Sequence, residues 1–359
     1  GTVGANRDGN EMHGVAWGAN VVVGNTGATD NNNYGPFQDY DYFYAGWKAI
    51  SDALVAANGE DRGGVINNSW GTNIRVNGSQ HFPTDTVSQI EYEYFLFKNA
   101  YKDEYAGTDH AGKSFVDAAY DSIGENVVQV FTTGNRNFDN PFYRPLNPYF
   151  NPENEKNTIA VAGMRQGSNG TYELYNTFND AGNAKWWTVA APGSNIYSTK
   201  VDTSTGEATW GNSSGTSMAA PHVTGAMTVL MSRYENMSAV QVRDVLFTTA
   251  THKNADGSNF TGWTAAEGEV DVDYGWGMPD LEKGMYGLGQ LLGAFDYNMN
   301  KTALDVWSND ISQVALDQRE GEELAWKAAA EKWLKNPTVT LGEEYTEEEK
   351  ELIGDIAYR

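Results

Sequence analysis

Residues 213–225 read SSGTSMAAPHVTG, a run of small and hydroxyl side chains that leads into apolar ones. The pattern predicts a helix that starts near Thr216 and places Ser217 in its first turn. A serine at such a place often caps the helix by accepting a hydrogen bond from a free backbone N–H group. The run is longer than a cap requires, so a nucleophilic role for Ser217 stands beside the capping role.

On both sides of this helix, apolar runs that predict strands alternate with stretches that predict helices. The strands read as continuous apolar runs, which is typical of a parallel sheet covered on both faces. We therefore predict an α/β protein with three layers, α/β/α, around a mainly parallel sheet. Ser238 and Gln241 have the spacing of a capping box at the last of the helices. The predicted strands are 19–24, 63–70, 126–134, 157–164 and 186–193, and the predicted helices are 42–58, 86–104, 112–124, one from near Thr216 and one from Ser238.

The composition of the chain changes near residue 290. Residues 1–290 are predicted to form the α/β domain and residues 291–359 a charged helical extension. The second part contains QVALDQREGEELAWKAAAEKWLKN and TEEEKELIGDIA, two charged amphipathic patterns on either side of Pro337.

The overall charge excludes several classes of partner. The chain has 359 residues, a formal charge of −24 and no cysteine. Nucleic acids and anionic membrane surfaces bind basic patches, so we predict neither as a partner. The acidity favours solubility, with bound cations as an alternative. No apolar run approaches the roughly 20 residues of a membrane span, and disulfides are excluded.

Three polar stretches are predicted to meet at one edge of the sheet, outside the carboxyl ends of the strands, where such sheets place their sites. They are NNSWGT, TTGN and SSGTSMA. Ser217 at a helix N-terminus would lie among N–H groups that stabilise a negative oxygen developing on an attacked carbonyl. Asn135 in TTGN is suited to supply a second donor from another strand end. The arrangement predicts acyl-transfer chemistry.

The motif GTSMAAPHVTG resembles the nucleophile motif of the subtilisin family of serine proteases. GVAWGA, VINNSWG, TTGN, AAPG and YGWGMPD are similar to other motifs of that family and occur in its order, across roughly residues 1–290. The resemblance implies a serine endopeptidase that acts on proteins or peptides, with Ser217 as the nucleophile and Asn135 as the oxyanion donor. It also implies that the cleft is lined by Ser69, Trp70, Gly71, Thr132, Thr133 and Gly134.

The resemblance implies no cofactor for the chemistry and no catalytic metal. Many members of the family bind structural calcium, and clusters such as DNNN at 30–33 could take part. The sequence has no EF-hand pattern, so we assign no calcium ligands.

The family also uses an aspartate and a histidine that precede the nucleophile in the chain. In the family's register the histidine is expected about six residues before Gly1, and the aspartate further upstream. The triad within this chain is then incomplete, and we expect the chain alone to have little or no peptidase activity.

The five histidines of this chain are poor substitutes for that base. His13, in MHGVA, falls in the loop that follows the family's histidine motif. His222 lies five residues after Ser217, roughly 140° around the helix, and is expected to pack in the core. His81, His110 and His252 are expected to be solvated in polar loops. A carboxylate base, as in serine-carboxyl relatives, is disfavoured because those relatives have aspartate where this chain has Asn135.

Two further interpretations concern specificity and location. Arg136 would lie at the rim of the pocket for the side chain before the cut and disfavour basic residues there, unless it is simply solvated. GLGQLLGAFDYNMN and DVWSNDIS are similar to the stretch after the peptidase domain in autotransporter-type members, which implies a secreted or cell-surface protein. The alternative function is a non-catalytic surface module for binding or adhesion, built on a degenerate protease fold.

Overall fold

The architecture comes from a computed structural model of the chain. It describes residues 1–9, 11–24, 40–70, 74–76, 79–81, 113, 115–168 and 170–286, together with residues 318, 321 and 346. Five of the predictions fall outside the described residues: the DNNN cluster at 30–33, the helix at 86–104, the cleft residue Gly71, the histidine His110 and nearly all of the extension at 291–359.

The centre of the fold is a five-stranded sheet in which three of the four strand pairings are parallel. Strand β1 (Gly64–Asn68) pairs with β4 (Val127–Thr132), β4 with β5 (Thr158–Gln166), and β5 with β7 (Thr188–Pro192), all in parallel. The short strand β6 (Tyr172–Leu174) pairs antiparallel with the end of β5. The predicted mainly parallel sheet is confirmed.

Helices cover both faces of this sheet. The long helices are α1 (Tyr40–Asn58), α4 (Thr216–Arg233) and α5 (Ala239–Thr248), and the shorter ones are α2 (Phe115–Asp121), α3 (Asn147–Phe150) and α6 (Leu281–Tyr286). On β1, the Asn67 side chain accepts a hydrogen bond from Thr224 of α4, whereas Asn68 accepts one from Trp47 of α1. Successive strand residues point to opposite faces, so α1 and α4 lie on opposite sides of the sheet. The predicted three layers are confirmed.

The core is the sheet together with the apolar side of α4. Strand β4 is buried along its whole length, which explains why its sequence reads as a continuous apolar run. Helix α4 packs across β1, β4, β5 and β7. Its fully buried side chains include Ala219, Ala220, Val223 and Met227. The two alanines near the start of the helix are small, which lets the helix lie close to the sheet.

Two of the sequence-based expectations need correction. Residues 19–24 were expected to form a strand, but the structure assigns none, and Val21, Val22 and Val23 are 55%, 46% and 82% exposed. These residues and β1 both line a pocket of about 910 Å³. Among the described residues, 19–24 pair with no strand, and a strand requires a hydrogen-bonded neighbour about 5 Å away. His81, expected in a loop, lies in β3 (Ser79–His81), which pairs with β2 (Ile74–Val76).

A hairpin just before α4 was not predicted from the sequence. Strands β8 (Ile196–Val201) and β9 (Ala208–Ser213) pair antiparallel, and most of their residues are exposed. Such strands lack the apolar run that identified the buried ones. The hairpin leads directly into the loop at Ser214 and Gly215, and so delivers the chain to the start of α4.

Candidate active site

The start of helix α4 lies against the carboxyl end of β7. The backbone N–H of Gly215 donates to the carbonyl of Gly193, at 2.9 Å. A Cβ added to Gly193 would lie 2.9 Å from the Gly215 carbonyl oxygen, closer than ordinary packing allows. Glycine at 193 therefore permits the loop before α4 to sit directly on the end of the sheet, as the predicted site requires.

Ser217 is the second residue of α4, and it does not cap the helix. The N-cap position is Gly215, which has no side chain that could cap the helix. Ser217 is half-buried, and among the described residues its hydroxyl has no hydrogen-bond partner. A capping serine would accept a hydrogen bond from a backbone N–H, and Ser217 does not. Of the two roles that the sequence left open, only the nucleophilic one remains as a prediction.

Asn135 lies just after β4 and contacts the same helix terminus. Its Oδ1 accepts hydrogen bonds from the backbone N–H of Thr216, at 2.9 Å, and from the Thr216 hydroxyl, at 3.1 Å. With the oxygen so used, Nδ2 is the end of the carboxamide that is left to donate. A Cβ added to Gly215 would lie 3.5 Å from this Nδ2. The structure thus brings the amide of Asn135 beside the residue before Ser217, and the two predicted catalytic residues lie together.

The loop that carries Asn135 is held by Asn179, a residue that the sequence did not single out. Asn179 is fully buried. Its Oδ1 accepts from the backbone N–H of Arg136, at 2.8 Å, and its Nδ2 donates to the carbonyls of Asn140 and Thr133, at 3.1 and 3.3 Å. One amide therefore fixes the backbone on both sides of Asn135. No local pattern marks Asn179, because its partners lie some 40 residues earlier in the chain.

The predicted cleft residues follow β1 and β4 at the same edge of the sheet. The parallel register pairs Asn68 with Phe131, so Ser69 and Trp70 run alongside Thr132 and Thr133. Ser69 and Trp70 are half-buried. Thr133 is fully buried, and its hydroxyl lies 2.8 and 3.2 Å from the Asn179 and Val161 carbonyl oxygens, so its side chain belongs to the core and does not line an open cleft.

Gly134 needs to be glycine. Its φ is +128°, and an added Cβ would lie 2.7 Å from both Asn179 Nδ2 and the Phe142 ring. Other residues rarely adopt such a backbone conformation. The conformation turns the chain sharply after β4 and directs Asn135 toward α4.

None of the described histidines is hydrogen-bonded to Ser217. His222 is half-buried, one of its ring nitrogens lies 2.8 Å from the Met218 carbonyl, and burial lowers the pKa of its imidazole. His13 is exposed in a loop. His252 departs from the expectation of a solvated residue: its ring stacks on Trp263, with centroids 4.4 Å apart, and its side chain is 14% exposed.

The described part of the chain contains no cluster of three or more His, Cys, Asp or Glu side chains that could hold a metal ion. The calcium expectation therefore stays a prediction without ligands. Within the same residues, no helix combines the length and the hydropathy needed to cross a bilayer.

Comparisons with known proteins identify a family and several similar sequences. The sequence model of the subtilase family matches residues 1–277. The extracellular serine protease of Serratia marcescens is 29% identical over 321 residues, which cover 80% of this chain and 27% of that protein. The autotransporter lipoprotein NalP of Neisseria meningitidis serogroup B is 29% identical over 286 residues, which cover 74% of this chain and 24% of NalP. This chain thus spans about a quarter of the length of these curated relatives.

Among solved structures, the chain is similar to fervidolysin from Fervidobacterium pennivorans, a keratinolytic enzyme related to subtilisin. The TM-score is 0.49 and the identity 25%, over 80% of this chain and 35% of fervidolysin.

Proposed function

This chain belongs to the subtilase family of serine proteases, as its motifs predict, and from that premise we propose that it carries the nucleophile and the oxyanion-binding group of an endopeptidase. The observation that supports this most directly is the pair of hydrogen bonds from Thr216 to Asn135 Oδ1. They hold the carboxamide next to the residue before Ser217 and turn its donor end toward the place where a substrate oxygen would lie.

In the proposed reaction, Ser217 Oγ attacks the carbonyl carbon of a peptide bond. The oxygen of the tetrahedral intermediate accepts hydrogen bonds from Asn135 Nδ2 and from the backbone N–H of Ser217, at the positive end of α4. Collapse of the intermediate releases the amine and leaves an acyl-enzyme on Ser217, which water then hydrolyses. A histidine takes the serine proton and returns it to the leaving amine, and an aspartate orients that histidine.

We place this histidine and aspartate upstream of Gly1, as the family resemblance implies. The proposal has support in the described histidines, none of which bonds to Ser217. A serine hydroxyl without a base is a weak nucleophile at neutral pH. We therefore expect this chain alone to hydrolyse peptides at little above the background rate.

We also propose that the whole protein acts outside the cytoplasm, as a secreted or surface-displayed protease with protein or peptide substrates. One relative is named an extracellular protease and another an autotransporter lipoprotein. The strongly acidic, cysteine-free composition suits that setting.

The test compares this chain with a longer protein that includes the encoded residues upstream of Gly1. Both are incubated with an unstructured protein and with a fluorophosphonate that labels activated serines. We expect the longer protein to cleave and to be labelled at Ser217, and Ser217→Ala to lower its rate by at least about 10⁴-fold. This chain alone should do neither.

Ser214→Ala is the matched control, because Ser214 is exposed just before α4 and its hydroxyl, among the described residues, only accepts from the Asn195 backbone N–H. Cleavage by this chain alone that disappears in Ser217→Ala would show that no upstream base is needed. A longer protein that binds peptides but never cleaves or labels would favour the alternative, a binding or adhesion module.

A further inference from the structure

Arg144 is a buried cation that has no anionic partner among the described residues. Its side chain is 3% exposed, and its Nε and Nη1 atoms are buried without a hydrogen-bond partner. No carboxylate of the described residues forms an ion pair with it. Burial lowers the pKa of the guanidinium, yet arginine stays protonated in proteins. A permanent charge is therefore buried, and two of its three nitrogen atoms have no acceptor.

Aromatic rings compensate this charge only in part. The guanidinium carbon lies 5.1 Å from the centroid of the Trp70 ring and 5.9 Å from that of Tyr143. Trp70 is in turn stacked on Phe43 and Trp47, with centroids 5.6 and 5.7 Å apart. Ring faces attract a cation, but they accept none of the in-plane N–H bonds for which the guanidinium is shaped.

The position of Arg144 links it to the predicted cleft. Trp70, on which it rests, comes directly after Ser69 at the carboxyl end of β1. Two residues before Arg144, the Phe142 N–H donates to the Thr133 carbonyl, at 3.0 Å, and the Phe142 ring packs against Gly134. Arg144 therefore spans the two strand ends that are predicted to flank the substrate chain.

Asn147, in the same turn, also has a buried donor without an acceptor. Asn147 is fully buried, and its Oδ1 accepts from Asn154 while its Nδ2 has no acceptor. Its backbone N–H donates to the Arg144 carbonyl. Buried polar groups in folded proteins are nearly always paired, so a turn with three unpaired donor atoms indicates that an acceptor arrives from outside the described chain.

We propose that Arg144 is the anion-binding group of the cleft and takes a carboxylate, the side chain of a glutamate or aspartate in a bound peptide. A carboxylate presents two acceptors in the plane of the guanidinium fork and neutralises the buried charge. The inference rests on the proposed function, since it places a peptide between the ends of β1 and β4. It differs from the interpretation of Arg136, which is exposed in the preceding loop.

The test measures binding, not cleavage, in the full chain with Ser217→Ala. Two capped hexapeptides of alanine and glycine are compared by calorimetry, one with a central glutamate and the other with a central glutamine. We expect the glutamate peptide to bind about 10- to 100-fold more tightly, the range of one charge-assisted pair. Arg144→Met should erase this difference, and Arg144→Lys should keep part of it. Arg243→Met, which removes another buried arginine, should leave it unchanged.

A second arm uses sodium glutarate as a free dicarboxylate and follows the unfolding temperature. A rise that needs Arg144, without discrimination between the peptides, assigns the carboxylate site to a free anion instead of a substrate side chain. Equal peptide affinities together with no Arg144-dependent effect of glutarate overturn the proposal. A glutamate preference that survives Arg144→Met overturns it as well. Because Ser217 is already replaced, failure of the peptidase proposal would leave these readouts intact.

Discussion

A buried arginine lies at each end of the sheet, and the two arginines differ in their hydrogen bonds. At the amino end of β5, Arg243 is 5% exposed and rests on the Phe247 ring, 4.3 Å from its centroid, much as Arg144 rests on Trp70 at the carboxyl end. However, Arg243 Nε donates to the Thr158 carbonyl at 2.7 Å, and Nη1 contacts Asp244 at 3.2 Å. Only Nη2 of Arg243 is buried without a partner, whereas both Nε and Nη1 of Arg144 are.

The neighbours of the two arginines follow the same division. At the amino end, Asn157 Nδ2 donates to the carbonyls of Glu125 and Val127, and the Thr158 hydroxyl to that of Asn154. At the carboxyl end, the Ser217 hydroxyl is without a partner among the described residues. The hydrogen bonds at the amino end stabilise the fold, and we infer that the unpaired groups at the carboxyl end are available to a ligand. Substitutions at the amino end should therefore change stability, and substitutions at the carboxyl end should change activity or binding.

The largest effect beyond that of Ser217 itself is expected at Asn135. In the longer, active protein, Asn135→Ala should lower kcat by about 10²–10³-fold, a figure that comes from subtilisin itself, and leave KM nearly unchanged. The donor is lost where charge develops in the transition state. Steady-state kinetics on a peptide substrate measure both constants. An unchanged kcat would remove the functional contrast between the two ends of the sheet.

Substitution of Arg243 and of Arg144 tests the predicted difference in stability. Arg243→Met should lower the free energy of unfolding by about 2–3 kcal/mol, because a buried carbonyl loses its charged donor. Arg144→Met should not lower it, since replacing a buried unpaired charge by an apolar side chain of similar length removes a desolvation cost. Denaturant unfolding followed by tryptophan fluorescence measures both. Equal losses in the two variants would mean that Arg144 is as well compensated as Arg243.

The smallest effect is expected at the start of α5. Ser238 accepts from the Gln241 N–H, and Gln241 accepts from the Ser238 N–H, so the predicted capping box is present. Ser238→Ala should cost about 1 kcal/mol of unfolding free energy without any change in activity. Ser232→Ala, at an exposed hydroxyl near the end of α4, serves as the control with no expected loss. A fall in kcat in Ser238→Ala would show that the amino end also contributes to function.

The sequence was informative wherever the structure depends on short-range patterns. The buried strands β1, β4, β5 and β7 are continuous apolar runs, and α1, α4 and α5 carry helical patterns, so their existence could be predicted. Residues 19–24 have the same apolar pattern as a buried strand, but pairing depends on a neighbour that no local pattern reveals. The exposed hairpin β8–β9 was missed for the opposite reason, because it lacks a buried run.

The site divides in the same way. Ser217 and Asn135 could be named because each follows a recognisable strand or helix boundary, and the structure brings them together. Asn179 and Arg144 could not be named from the sequence. Asn179 matters because its side chain makes four hydrogen-bond contacts, and Arg144 because its buried Nε and Nη1 make none. Whether a buried polar group has a hydrogen-bond partner depends on the folded chain and cannot be read from the neighbouring sequence.

The bond from Thr216 to Asn135 spans 81 residues of sequence, and this separation has a consequence for biosynthesis. Contacts between distant segments form late in folding, because the loop between them must first be closed. Pro221 also deprives the first turn of α4 of one internal hydrogen bond, so that turn depends more on its distant partner. A chain still emerging from the ribosome has therefore not yet brought Asn135 against the start of α4.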